Sequence, residues 1–117
     1  MLILTVNYKL KEGKRDEFVK RLLREKIAEH TRMEQGCIKY EYYLPIDRAD
    51  ELFLLEAWES REDQQIHLQS DHMLKMREFK SEYVESTELG QMSRKVDTVN
   101  DIADFLIDIW INRIVNR

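Results

Sequence analysis

The sequence is poor in the residues that most sharply constrain small proteins. It has one cysteine, Cys37, one proline and three glycines in 117 residues. A lone cysteine cannot form an intrachain disulfide, and the chain begins at a strand-like segment with no basic and apolar leader, so we expect a reducing, cytoplasmic setting. Three scattered glycines provide no glycine-rich loop that could hold a phosphate, which excludes nucleotide binding by that device.

Long apolar runs and an excess of one charge are also missing. No run approaches the roughly 18 residues that a membrane-spanning helix needs. The 19 basic and 23 acidic residues give a formal net charge of -4. A mildly acidic chain lacks the basic surface that nucleic acid or an anionic membrane requires, so we expect neither as a partner.

The first third of the chain predicts a strand followed by a helix. Residues 2–8 alternate with a period of two and are apolar on both faces, which is typical of a strand buried on both sides. Apolar residues at three-and-four spacing over residues 14–33, Leu23 among them, predict one amphipathic helix. Gly36 is placed to end it in a left-handed conformation.

The next segments predict a hairpin, two short helices and a last strand. Residues 37–44 and 51–58 read as paired strands around a proline-containing loop, with Ile38, Tyr40, Tyr42 and Leu44 on one face of the first. A capping box starting at Ser60 predicts a helix to residue 68, and the break at residues 70–71 precedes a second helix. Residues 83–89 favour a fourth strand.

The predicted order is that of a split βαβ unit, an α+β sandwich of the ferredoxin-like class, over residues 1–90. Such a unit carries helices on one face of its sheet only. Because three strands are apolar on both faces, we expect a second copy of the chain to cover the other face, giving a homodimer or higher homo-oligomer. Residues 91–117 form a separate extension with a broad apolar stripe over 99–116, which predicts a helix docked on the dimer or on another subunit.

Two histidines, His67 and His72, provide the main chemical signal. Histidine titrates near neutral pH, so either can serve as a base, although a capping or buried structural role fits the pattern equally well. They are five residues apart with a break between them, so a shared helix face is not assured. No cysteine-rich or acidic cluster accompanies them, and we expect no metal.

Five other residues have a functional and a structural interpretation. Asn7 is either a hydrogen-bond donor aimed into a cavity or an edge residue of its strand. Trp58 and Tyr40 either line a pocket for a flat aromatic ligand or belong to the core. Arg77 either stabilises an oxyanion or lies on a solvated helix face, and Glu56 can act as a base if it is buried.

Three segments together resemble a known family. They are Glu34-Gln35-Gly36-Cys37, Glu56-Ala57-Trp58-Glu59-Ser60 and His67-Leu68-Gln69-Ser70-Asp71-His72-Met73. This pattern is similar to the antibiotic biosynthesis monooxygenase domain, and most similar to its small quinol-monooxygenase-type members. The resemblance covers residues 1–90 and implies a ferredoxin-like protomer, a dimeric α+β barrel and a pocket between the sheet and the helices. The family contains oxygenases, an isomerase of a signalling sugar phosphate and haem-degrading enzymes.

Departures from the sub-families narrow the expected activity. Haem-degrading members use an asparagine, a tryptophan and a histidine ligand, and this chain keeps Asn7 but has His67 and Arg77 at the other two positions. Polyketide-oxidising members carry an asparagine where this chain has Leu54. The resemblance therefore implies no haem degradation, and we expect a cofactor-free, oxygen-dependent monooxygenase acting on a quinol or related phenol. The alternatives are a non-catalytic ligand-binding or stress-linked dimer and an isomerase of a small polar metabolite.

Overall fold

The computed structural model describes residues 1–91, so the expected C-terminal helix lies outside the described residues. Four strands and four helices follow one another in the order β1 (Leu2–Leu10), α1 (Arg15–Arg24), α2 (Ile27–Arg32), β2 (Cys37–Tyr43), β3 (Glu51–Trp58), α3 (Arg61–Leu68), α4 (Asp71–Lys80) and β4 (Val84–Gln91). The strands form one antiparallel sheet in the order β2-β3-β1-β4. The predicted ferredoxin-like α+β sandwich is confirmed. Within residues 1–91, no helix has the length and apolar character needed to cross a membrane.

The sheet has one face that packs against the helices. Leu2 pairs with Trp58 and Val6 with Leu54, so these four side chains share that face. They join side chains from the helices and from β2 in a single buried cluster, whose further members are Tyr8, Leu10, Phe18, Leu22, Ile27, Ala28, Tyr40, Leu52, Met76 and Phe79. On the opposite face, Ile3, Leu55 and Ala57 are also buried, as the two-sided apolar pattern predicts.

The single helix predicted over residues 14–33 is wrong, because the chain breaks it at Lys26. Lys26 adopts a left-handed conformation with φ of 54°, and α2 starts directly after it. At about 100° per residue, an unbroken helix would place Ile27 on the side opposite Phe18. The break resets the phase, so that Phe18, Leu22 and Ile27 are all buried while Leu23 remains 67% exposed.

The first strand of the hairpin also differs from the prediction. The pairing of β2 with β3 shifts between Cys37 and Lys39, and such a bulge changes which residues share a face. Tyr40 and Tyr42 pack on the helix side as expected. Ile38, predicted to lie beside them, is 47% exposed. Leu44 is also 47% exposed but lines a helix-side cleft together with Tyr42, as its predicted face requires.

Candidate active site

Two serine caps at the starts of α3 and α4 hold both histidines in fixed positions. Ser60 Oγ accepts a hydrogen bond from the Asp63 amide at 3.1 Å, which starts α3 as the capping box predicts. Ser70 Oγ accepts from the Met73 amide at 3.4 Å and donates to the His67 carbonyl at 2.7 Å, joining the end of α3 to the start of α4. This tight junction brings two histidines, which a continuous helix would separate, to a ring distance of 5.8 Å.

A carboxylate that the sequence analysis did not single out joins the two rings. Glu34 Oε2 lies 2.5 Å from His67 Nδ1 and 3.1 Å from His72 Nε2. Glu34 stands in the turn between α2 and β2, where its amide donates to the Thr31 carbonyl at 3.0 Å. Its place in the Glu34-Gln35-Gly36-Cys37 segment was the only sequence signal for it.

Gly36 allows this turn to lie against the start of α3. Its φ is 81°, a conformation that favours glycine, and a Cβ built there would meet the Asp63 side chain, with Asp63 Cβ only 2.7 Å away. The Gly36 carbonyl accepts from the Glu59 amide at 2.8 Å. The same glycine therefore ends the turn that carries Glu34 and admits the helix that carries His67.

The carboxylate determines the hydrogen bonding of both imidazoles. An ionised carboxylate only accepts hydrogen bonds, so His67 donates through Nδ1 and His72 through Nε2. Neutral His67 then has its lone pair on Nε2. Burial lowers the pKa of His67 and so favours the neutral ring. The hydrogen bond and charge of Glu34 act in the opposite direction.

Aromatic rings enclose His67. The ring of Trp58 lies 4.8 Å from the His67 ring and is tilted by 34°, and Tyr40 meets it edge-on at 5.6 Å. None of the three residues is more than 1% exposed. On the outer side, the His72 and Glu34 side chains are 14% and 18% exposed, and His30 stacks on His72 at 5.6 Å. The cluster therefore reaches solvent only through its outer half.

A second carboxylate, Glu56, lies in the core near the cluster. It is 7% exposed, and its Oε1 accepts a hydrogen bond from Trp58 Nε1 at 3.1 Å. Burial raises the pKa of Glu56 to about 7, the nearby charge of Glu34 adds to the rise, and the Trp58 hydrogen bond opposes it. Glu56 is thus buried, as its predicted role as a base requires, and its carboxyl can give or take a proton near neutral pH.

Two of the predicted site residues lie away from the cluster. Asn7 pairs with Phe53 in the sheet and points to the face opposite Trp58, where its Nδ2 donates to Glu51 Oε1 at 2.8 Å. Arg77 is exposed, and its Nη2 donates to the Leu68 carbonyl at 2.6 Å. The structure thus brings together His67, His72, Trp58 and Tyr40, with Glu56 hydrogen-bonded to Trp58 beside them.

A cleft of about 380 Å³ opens elsewhere on the helix side. It is lined by Val19, Leu22, Leu23, Arg32, Glu41, Tyr42, Leu44 and Leu52. No residue of the histidine cluster is among them. The cleft and the cluster are therefore separate features of the described residues.

Residues 1–78 match the family model described as antibiotic biosynthesis monooxygenase. The chain belongs to this family. Among curated proteins, this chain is 25% identical over 72 residues to YcnE of Bacillus subtilis, a candidate monooxygenase. The match covers 62% of this chain and 74% of YcnE. The chain is also 28% identical over 71 residues to an uncharacterized Synechocystis protein, covering 61% of this chain but only 47% of that protein's length.

A solved structure supports the fold of this family member. A candidate antibiotic biosynthesis monooxygenase from Nitrosomonas europaea superposes with a TM-score of 0.73 at 22% identity, covering 82% of this chain and all of the other. At that identity the similarity establishes the architecture alone. The family assignment therefore rests on the family model, and the chemistry has to be argued from the site.

Proposed function

We propose that the protein is a cofactor-independent monooxygenase that oxidises a quinol or a related phenol with dioxygen. The observation that carries the proposal is the Glu34–His67 pair, with 2.5 Å between oxygen and nitrogen, set beside the buried rings of Trp58 and Tyr40. An imidazole oriented by a carboxylate is the usual form of a protein base that takes a proton from a hydroxyl group.

The chemistry requires such a base. Ground-state dioxygen is a triplet and reacts quickly with an organic molecule only after that molecule has become an electron-rich anion. Removal of the phenolic proton gives this anion, which passes one electron to dioxygen before the two recombine. For a quinol, the products are a hydroxyquinone and water: one oxygen atom enters the ring, the other leaves as water, and the substrate supplies all four electrons.

His67 is the residue that we assign to proton removal. Glu34 accepts from its Nδ1, so Nε2 is free to take the phenolic proton. The Trp58 and Tyr40 rings provide flat apolar walls against which an aromatic substrate can stack. Since all three side chains are closed to solvent, the substrate reaches them only when α3 and α4 move outward from the sheet, the gating role that active-site lids serve.

His72 is assigned an outer role. It shares the same carboxylate oxygen but is partly exposed and stacks on His30 rather than on the buried rings. Replacement of His67 by alanine should therefore lower the rate by about 10²- to 10⁴-fold, the range typical for loss of a base, while His72→Ala costs much less. Asn7 and Arg77 have no part in this assignment.

The test is dioxygen consumption by chelator-treated protein across a panel of hydroquinones and polyphenols. His30→Ala is the matched control, because it removes an exposed histidine that does not contact Glu34. Wild-type protein and His30→Ala should consume dioxygen at similar rates, well above His67→Ala. Consumption by the wild type no faster than spontaneous quinol oxidation would contradict the proposal and favour a non-catalytic binding module.

We also propose that the protein works as a homodimer in the cytoplasm. The two-sided apolar pattern of β1 and β3 supports pairing through the face without helices. Ile3, Leu55 and Ala57 are already buried there. The surface left for a second copy includes Phe53, which is half-buried, and Tyr43, which is 39% exposed. Light scattering at micromolar concentration should give twice the 14.2 kDa chain mass, and a stable monomer would rule the dimer out.

A further inference from the structure

We propose that Glu34, His67 and His72 form a binding site for one divalent transition-metal ion. Their ligand atoms, two imidazole nitrogens and one carboxylate oxygen, all lie within 4.8 Å of one another. They come from three separate segments: the turn before β2, α3 and the first turn of α4. No metal was expected from the sequence, because Glu34 stands 33 residues before His67 and joins the histidines only through the fold.

The donor set determines the class of ion. Two imidazoles and one carboxylate suit zinc and the neighbouring divalent metals, whereas magnesium and calcium prefer oxygen ligands alone. With bonds of about 2.0–2.2 Å, donor atoms around a tetrahedral ion lie a little over 3 Å apart. The present separations of 2.5 and 3.1 Å from Glu34 Oε2 are hydrogen-bond distances, so an ion that replaces the two shared protons moves this oxygen outward by under about 1 Å. The two imidazole nitrogens, which lie within 4.8 Å of each other, move closer together around the ion.

The surroundings also fit a metal site. Trp58 and Tyr40 hold the His67 ring, and His30 stacks on the His72 ring, so neither ligand is free to rotate away. Ser70 Oγ lies 3.2 Å from His72 Nε2. The partly exposed outer half of the cluster gives an ion access from solvent, and three protein ligands leave one coordination position open.

Metal binding has a direct consequence for the proposed base, and this step rests on the proposed function. An ion on His67 Nδ1 takes the lone pair of that nitrogen, so the ring proton moves to Nε2 and no net proton is released from a neutral imidazole. Nε2 then carries a hydrogen and cannot accept the phenolic proton. A bound divalent ion should therefore inhibit oxygenation, which makes the cluster a point of control by metal availability.

The test of binding makes no use of a quinol. Full-length, chelator-treated protein is titrated with zinc by calorimetry and with cobalt by visible absorption, with magnesium as a comparison ion. We expect one zinc per chain, a cobalt spectrum typical of tetrahedral nitrogen and oxygen ligation, and no binding of magnesium at the same concentrations.

Variants at the two partly exposed ligands locate the site. His72→Ala and Glu34→Gln should weaken zinc binding by more than the roughly 10- to 100-fold that loss of an outer-shell partner costs. Glu29→Gln, which removes an exposed carboxylate on α2, should bind like the wild type. Absence of zinc binding by the wild type, or equal binding by wild type, His72→Ala and Glu34→Gln, would overturn the proposal, whatever the outcome of the dioxygen assay.

Discussion

Replacing Glu56 by glutamine should make the protein more stable, and the gain should grow with pH. Glutamine has nearly the same shape, and its side-chain oxygen can still accept the Trp58 hydrogen bond. Burial raises the pKa of Glu56 from 4.5 to about 7, so the folded protein holds this proton over a range in which the unfolded chain has lost it. Stability from this group is therefore full at low pH and declines as pH rises from about 4.5 to 7.

The magnitude follows from the same shift. Each tenfold change in an ionisation constant corresponds to about 1.4 kcal/mol, so ionised Glu56 destabilises the fold by up to about 3 kcal/mol above pH 7. Glutamine removes this penalty. The free energy of unfolding of Glu56→Gln should match that of the wild type near pH 4.5 and exceed it by up to about 3 kcal/mol at pH 8.

The assay is urea unfolding of both proteins at several pH values and one fixed protein concentration. Glu59→Gln, which removes an exposed carboxylate one residue after Trp58, is the matched control and should track the wild type. A difference between Glu56→Gln and wild type that does not change between pH 4.5 and 8 would refute the argument, because it would show that Glu56 ionises alike in the folded and unfolded chain.

Four further substitutions test the backbone, the helix cap and the carboxylate that form the cluster. Gly13→Ala should destabilise the protein by about 1 kcal/mol through its left-handed backbone alone, since no atom lies near the added Cβ. Gly36→Ala should cost about 1–3 kcal/mol more, because its Cβ also meets the Asp63 side chain. Urea unfolding of both variants measures the difference. Ser60→Ala should cost about 1 kcal/mol of stability by removing the α3 cap, whereas a change below the error of a thermal melt would deny the cap that role. Glu34→Gln should lower quinol oxidation by at least about 10²-fold with the fold intact by circular dichroism, and unchanged turnover would exclude Glu34 from orienting the base.

Most of the fold was predictable because helix caps, strand alternation and left-handed glycines depend on neighbouring residues only. Ser60 starts α3 for the reason that predicted it, since its side-chain oxygen accepts a hydrogen bond from an amide three residues on. Ser70, predicted only as part of a break, caps α4 in the same way. The left-handed conformation of Gly36 was predictable because few other residues tolerate it. Its predicted position at the helix end was not correct, because α2 ends at Arg32 and Gly36 shapes the turn that follows. The break at Lys26 was not, because lysine ordinarily continues a helix and only the burial of Ile27 on the same side as Phe18 favours it.

The sequence predicted the side chains that one segment contributes to the candidate site but not the carboxylate that joins them. Trp58, His67 and His72 lie within one segment whose geometry the strand end and the two caps determine. Glu34 approaches them through the packing of a distant turn on α3, a long-range contact that periodicity does not report. The position of Asn7, in contrast, follows from a local pattern. The strict alternation of β1 places Asn7 on the face of the sheet that does not carry Leu2 and Trp58, so the sheet separates it from the histidines.

The most direct test of the central claim is the fate of isotopically labelled dioxygen. Chelator-treated protein is incubated with the quinol that gives the fastest dioxygen uptake, and the product is weighed by mass spectrometry. We expect one labelled oxygen atom in each molecule of hydroxyquinone and the other in water, with incorporation reduced to the spontaneous level in His67→Ala. An unlabelled quinone accompanied by hydrogen peroxide, or equal incorporation with and without the protein, would contradict it.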